Sequence, residues 1–137
     1  MCDYMTRGLA TSIMRPLTIG TRLVCDDNSG AKLVEIIGVV GVQGRKRRYP
    51  RAGIGDVVIV AVKKGTPQMI KKVERALVIR QKSPIRRANG LRVSFDDNAV
   101  ALVDETGLPK GTEIKGFIAR EIAENFPKVS AIAAGII

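Results

Sequence analysis

The chain has 137 residues, 45% of them hydrophobic, and carries 23 lysines and arginines against 13 acids for a formal charge of +10. That length suits one domain whose core needs no disulfide or metal staple, and the apolar content excludes a disordered polyelectrolyte. Histidine is absent and the two cysteines, Cys2 and Cys25, stand apart, which removes the commonest general base, the commonest metal ligand and any C-x-x-C pair, so no metal or other cofactor is expected.

Residues 1–19 read as an N-terminal extension, loose in expectation, and residues 20–137 as a single domain. The stretch from Met1 to Leu17 is broken by Asp3, Arg7, Arg15 and Pro16 and has no apolar core of signal-peptide length. The longest apolar run, Val57–Val62, is far too short for a membrane span. A cytoplasmic protein with no membrane partner is expected.

Valine and isoleucine, 30 residues together, fall in short runs bounded by turn residues, which is a strand signature. The predicted strands are Arg22–Cys25, Lys32–Val40, Val57–Lys63, Ala76–Gln81, Leu91–Phe95 and Val100–Val103. Between them, Asp27-Asn28-Ser29-Gly30 and Asp104-Glu105-Thr106-Gly107 predict chain reversals, and Asn89-Gly90 predicts a hairpin. Towards the C-terminus Ile118, Ile122 and Phe126 recur every four residues and predict one helix face. Pro127 ends that helix and can open a second from Lys128 to Ala134, stopped by Gly135. Six short strands followed by two short helices predict a mainly β domain, and a small closed barrel best protects the strand edges.

The charge is unevenly placed. Residues 41–92 hold 15 of the 23 bases and only two acids, Asp56 and Glu74, while the remaining residues are net negative. A block of this kind predicts a basic face or arm that meets phosphates. Its sharpest part is Arg45-Lys46-Arg47-Arg48, flanked by Gly44, Tyr49 and Pro50, which reads as a protruding loop. Arginine is favoured where planar, two-pronged contact with phosphate is wanted. Arg51, Lys63, Lys64, Lys71, Lys72, Arg80, Lys82, Arg86, Arg87 and Arg92 extend the candidate surface.

The only aromatics are Tyr4, Tyr49, Phe95, Phe117 and Phe126, too few for the stacking platform of a single-strand binder. The basic block reads as strands and loops, without a recognition helix. Folded, double-helical RNA read by backbone and shape is the expected partner. Catalytic readings fail one by one. Gly53-Ile54-Gly55-Asp56 is followed by Val57 and Val58 and lacks the third glycine of a dinucleotide fingerprint, and Lys63-Lys64-Gly65-Thr66 has the residues of a phosphate loop in the wrong order. The pairs Asp26-Asp27 and Asp96-Asp97 read as turn formers. No serine has a histidine to activate it, so no enzyme is expected.

Read in order, several segments resemble one known family. They are Asp27-Asn28-Ser29-Gly30-Ala31, Arg47-Arg48 through Gly53-Ile54-Gly55-Asp56, and Lys63-Lys64-Gly65-Thr66-Pro67. Then follow Ala76-Leu77-Val78-Ile79, Asn89-Gly90, Phe95, Asn98, Gly111-Thr112 and the stretch Gly116 to Glu121. From about Gly20 onward the chain resembles the universal large-subunit ribosomal protein family numbered fourteen, in its archaeal form, similar to the eukaryotic large-subunit protein numbered twenty-three. Ala101 stands where the family usually has Val, and Phe117 where it usually has Pro.

The resemblance implies a closed five-stranded β-barrel with hairpin extensions and two short C-terminal helices. It also implies a structural constituent of the large ribosomal subunit, bound to large-subunit rRNA and neighbouring ribosomal proteins. By the same resemblance an exposed side would face small-subunit rRNA in an intersubunit bridge and dock the anti-association initiation factor numbered six. That face would lie around Thr112, Glu113, Lys115 and Lys128. The alternative is a free-standing RNA chaperone on the same kind of barrel, against which the poverty in aromatics counts.

Overall fold

The structure is a computed structural model that describes residues 14–41 and 49–137. The elements run β1 (Leu17–Thr18), β2 (Arg22–Cys25), β3 (Ala31–Val39), β4 (Arg51–Ala52), β5 (Val57–Gly65), β6 (Val73–Arg80), β7 (Ile85–Arg86), β8 (Arg92–Val93), β9 (Ala99–Val103), β10 (Ile114–Ile118), α1 (Arg120–Asn125), α2 (Pro127–Ala131) and β11 (Ala133–Ile136). Strands β2, β3, β5, β6 and β9 close a barrel, with a parallel β2–β9 pair completing the ring. This is the mainly β, five-stranded closed barrel with two short C-terminal helices that the sequence predicts.

The alternation that makes these strands legible also divides the core in two. On β6, Ala76 and Val78 point into the barrel, where they join Leu23, Val34, Ile36, Val60, Val100 and Leu102. Leu77 and Ile79 point outward into a second cluster with Ala101, Ile114, Ile118, Ile122 and Val129. Strand β9 is buried on both faces, because the barrel lies on one side and the C-terminal layer on the other. Ala101 sits fully buried in the outer cluster.

Three expected elements are corrected. Strand Leu91–Phe95 shrinks to Arg92–Val93 and lies outside the barrel, paired with Ile85–Arg86 in a short hairpin. Leu91 belongs to the turn of that hairpin, where its carbonyl accepts from Arg87 N–H. Gly90 at φ 86° supplies the left-handed turn residue. Ile118 ends β10 rather than starting a helix, because the backbone around it is taken into sheet: Ile137 N–H donates to Ile118 O, and Ala119 N–H to Ile79 O. The helix begins at Arg120, yet Ile118, Ile122 and Phe126 still pack on one outer cluster. The second helix stops at Ala131, and Ala133–Ile136 instead forms a parallel ribbon with β10, placing Gly135 opposite Phe117.

The N-terminal segment is packed from Leu17 on. Leu17 is 2% exposed, and Leu17–Thr18 pairs with Arg51–Ala52. Arg15 reaches Asp56 at 3.4 Å. Residues 1–13 lie outside the described residues.

Candidate nucleic-acid interface

The predicted cations fall into two exposed groups and two residues held within the fold. The first group sits on the tight connection between β5 and β6. Lys63 and Lys64 end β5, Lys71 and Lys72 lead into β6, and all four are exposed. Backbone hydrogen bonds between Val62 and both Lys71 and Lys72 bring these segments side by side. Lys71 holds φ 69°, the one non-glycine residue among the described ones with positive φ.

The second group lies beyond the other end of β6. Lys82 follows the strand, and Arg86 and Arg92 face each other across the β7–β8 hairpin, all exposed. Arg51, also exposed, sits on β4 in the excursion between β3 and β5. That excursion is fastened at the same end of the barrel. Ile54 N–H donates to Gln81 Oε1 at 3.1 Å, and Gly55 N–H donates to Val78 O. Along a strand at ~3.3 Å per residue, the two groups stand roughly 23 Å apart. Arg45, Lys46, Arg47 and Arg48 lie outside the described residues.

Arg80 and Arg87 are turned to internal work. Arg80 is 8% exposed. Its Nε and Nη2 donate to the two carboxylate oxygens of Asp97 at 2.9 and 3.1 Å, Nη1 donates to Phe117 O at 3.2 Å, and Asp26 is a second ion-pair partner. A side chain at Gly116 would collide with that guanidinium, so the absence of a Cβ there is what lets the arginine lie against β10. Arg87 pairs with Glu121 at 3.0 Å. Both guanidiniums are already paired with carboxylates of the chain, which sets these two residues apart from the exposed cations of the same stretch. Their carboxylate partners explain the missing charge, since a buried cation requires a paired and hydrogen-bonded anion.

The residues expected on a partner face are positioned by a turn at the lysine end of the barrel. The Asn28 amide spans to the 111–113 segment: Nδ2 donates to Thr112 Oγ1 at 2.6 Å, while Oδ1 accepts Thr112 N–H at 2.8 Å and Glu113 N–H at 3.4 Å. Asp27 is buried and braces the same turn. It accepts from Ser29 Oγ at 2.6 Å and, through its other oxygen, from Leu102 N–H at 2.9 Å. Thr112, Glu113, Lys115 and Lys128 are all exposed. The first three share one segment and Lys128 lies on α2, which leads directly into the partner strand of β10.

Sequence reasoning missed the roles of Asn28, Asp26, Asp97 and Glu121. Asn28, Asp26 and Asp97 were expected only to shape turns, and their partners lie up to 85 residues away in the chain. Nothing in the site suggests nucleophilic or metal chemistry. Burial, with Asp27 beside it, pushes the Cys25 thiol well above its ordinary pKa, and the protonated thiol donates to Asp27 Oδ1 at 3.1 Å. Among the described residues no cluster of metal-binding side chains occurs.

The family described as "Ribosomal protein L14p/L23e" matches residues 16–137. A protein of Methanoregula boonei named large ribosomal subunit protein uL14 is 58% identical over 123 residues, covering 90% of this chain and 93% of that protein. The proteins of the same name from Methanocorpusculum labreanum and Methanospirillum hungatei are 53% and 49% identical over 131 residues, each comparison covering 96% of this chain and 99% of the relative.

Proposed function

The chain belongs to the ribosomal protein L14p/L23e family, and from that membership we propose that it is a structural constituent of the large ribosomal subunit, at work in the cytoplasm. The observation that carries the proposal is the family match across residues 16–137, made by a chain whose basic 41–92 stretch presents exposed cations at both ends of β6. Within residues 41–92, eight described cations are exposed and have no ion pair among the described residues: Arg51, Lys63, Lys64, Lys71, Lys72, Lys82, Arg86 and Arg92. Together with Arg45, Lys46, Arg47 and Arg48 they form the proposed contact with large-subunit rRNA. Phosphate neutralisation by such groups supplies affinity without needing base contacts.

The finer part of the proposal concerns Thr112, Glu113, Lys115 and Lys128, assigned to small-subunit rRNA across the subunit interface and to the anti-association initiation factor numbered six. Two features support it. From Phe95 to Ile137 there are four bases and seven acids, which suits protein contact better than a primary RNA footprint. The Asn28 contacts also hold the segment in one geometry, and charge at a polar rim acts mainly on association rate and specificity.

Gradient profiles of a cell carrying Glu113→Lys with Lys128→Glu test this assignment. Normal large subunits with weakened joining or weakened factor binding are expected. Failure of the variant to enter the subunit would instead place these residues in the rRNA contact, and an unaltered protein found only in the soluble pool would defeat the ribosomal reading altogether.

A further inference from the structure

Arg86 and Arg87 are neighbours in the chain, yet they serve opposite sides of the β7–β8 hairpin, because successive side chains of an extended segment point opposite ways. Arg86 is exposed beside Arg92. Arg87 turns inward, with its side chain 10% exposed and that of its partner Glu121 7% exposed. The Nε and Nη2 groups donate to the two Glu121 carboxylate oxygens at 3.0 and 3.3 Å, and Nη2 also donates to the main-chain oxygen of Ile137 at 2.7 Å.

Three elements therefore meet on one guanidinium: the hairpin, the first turn of α1 and the end of the β10–β11 ribbon. Ile137 is itself tied to the ribbon and the helix, since its N–H donates to Ile118 O and its oxygen also accepts Arg120 N–H. A planar fork can hold a side-chain carboxylate and a main-chain oxygen together, which the single ammonium of lysine cannot reproduce.

We infer that Arg87 is a positioning residue that couples the RNA-facing hairpin to the C-terminal ribbon, so that RNA held by Arg86 and Arg92 stabilises the face formed by that ribbon. The inference rests on the RNA-binding reading of the hairpin given above. Glu121 cancels the charge of Arg87, so the pair adds nothing to the field a polyanion feels; its effect is on the hairpin's orientation and on the ribbon's stability. Coupling is reciprocal, so a partner on the ribbon tightens RNA binding by the same factor as RNA tightens the partner.

The test uses the full chain, a mixed-sequence RNA duplex as probe, and the variants Arg87→Ala, Arg87→Lys, Glu121→Gln and the swap Arg87→Glu with Glu121→Arg. Both Arg87→Ala and Glu121→Gln should weaken duplex binding several-fold while leaving the log–log salt slope unchanged. A phosphate contact at Arg87 would instead lower the slope by ~0.7–0.9 in Arg87→Ala, and Glu121→Gln would then bind more tightly because an acid is gone.

Amide hydrogen exchange reads the coupling itself. RNA should slow exchange at residues 133–137 in the unaltered chain and fail to do so in Arg87→Ala and Glu121→Gln, with part of the protection restored in the swap. Equal protection in all variants, or none in the unaltered chain, would overturn the inference. If Arg87→Ala does not fold, Arg87→Lys keeps the charge, loses the fork and decides the same question. If the unaltered chain binds the duplex with no salt dependence, the RNA reading fails, while faster exchange at 133–137 in the free variants still decides whether Arg87 holds the ribbon.

Discussion

At one end of β6 the described exposed cations of residues 41–92 are four lysines on a tight connection; at the other they are three arginines and one lysine, on the β7–β8 hairpin, β4 and the start of the chain beyond β6. The lysine end presents compact, strongly hydrated charges on flexible stems, which neutralise phosphates without demanding a geometry. The arginine end presents planar forks whose strength depends on how the phosphate is presented. It is also the better braced end, because Arg80 and Arg87 lie beneath it as internal struts. On the proposed rRNA reading, the described cations then form two devices: one supplies charge and the other supplies orientation.

The largest effect is expected from the strut. Arg80→Ala strands Asp26 and Asp97 in a half-buried site, and removing one member of a buried ion pair costs about 3–5 kcal/mol. Urea unfolding should show that loss, whereas alanine at exposed Arg92 should change stability by less than about 0.5 kcal/mol. Comparable losses at the two positions would erase the distinction between struts and contacts.

Next in size is the lysine end. Replacing Lys63, Lys64, Lys71 and Lys72 together by alanine should lower the log–log salt slope of RNA binding by about 3, at ~0.7–0.9 per phosphate. Stability should be nearly unchanged, since none of the four has an ion-pair partner among the described residues. Arg86→Lys with Arg92→Lys is the converse experiment. The slope should persist while affinity falls about tenfold, each lost fork being worth roughly 0.5–1 kcal/mol more than a single charge-assisted bond. An affinity unchanged by that exchange would make the two ends chemically equivalent.

The smallest effect separates the barrel end at β4 from the rest by pH. Burial raises the Asp56 carboxyl above its ordinary 3.8, against the opposing pull of Gly53 N–H and Arg15. A raised carboxyl binds its proton more readily in the folded chain than in the unfolded one, so this group's contribution to stability falls as pH rises from 3.8 through the raised value and is level above it. The unfolding free energy of the unaltered chain relative to Asp56→Asn should therefore decline across that window. A relative stability that rises with pH there would mean that Arg15 and Gly53 outweigh burial.

Much of the barrel is legible in the sequence because its strands alternate. Val57 to Val62 and Ala76 to Ile79 place every second residue in one cluster, and Asn89-Gly90 marks its turn outright. The C-terminal layer is not legible in the same way. Ile118, Ile122 and Phe126 keep helical spacing across a strand–helix junction, and only the pairing of Ile114–Ile118 with Ala133–Ile136 reveals where sheet ends. The candidate contacts divide likewise. Exposed cations follow from charge and turn signals, but the burial of Arg80 and Arg87 is decided by carboxylates that folding brings to them, and a basic run gives no hint of which members will be paired.

Whether the exposed cations meet phosphates is decided by the salt dependence of RNA binding by the unaltered chain. With about eight contacts at ~0.7–0.9 per phosphate, the log–log slope should lie near −5 to −7; a slope near −2 would show that the two basic ends are mostly solvated surface.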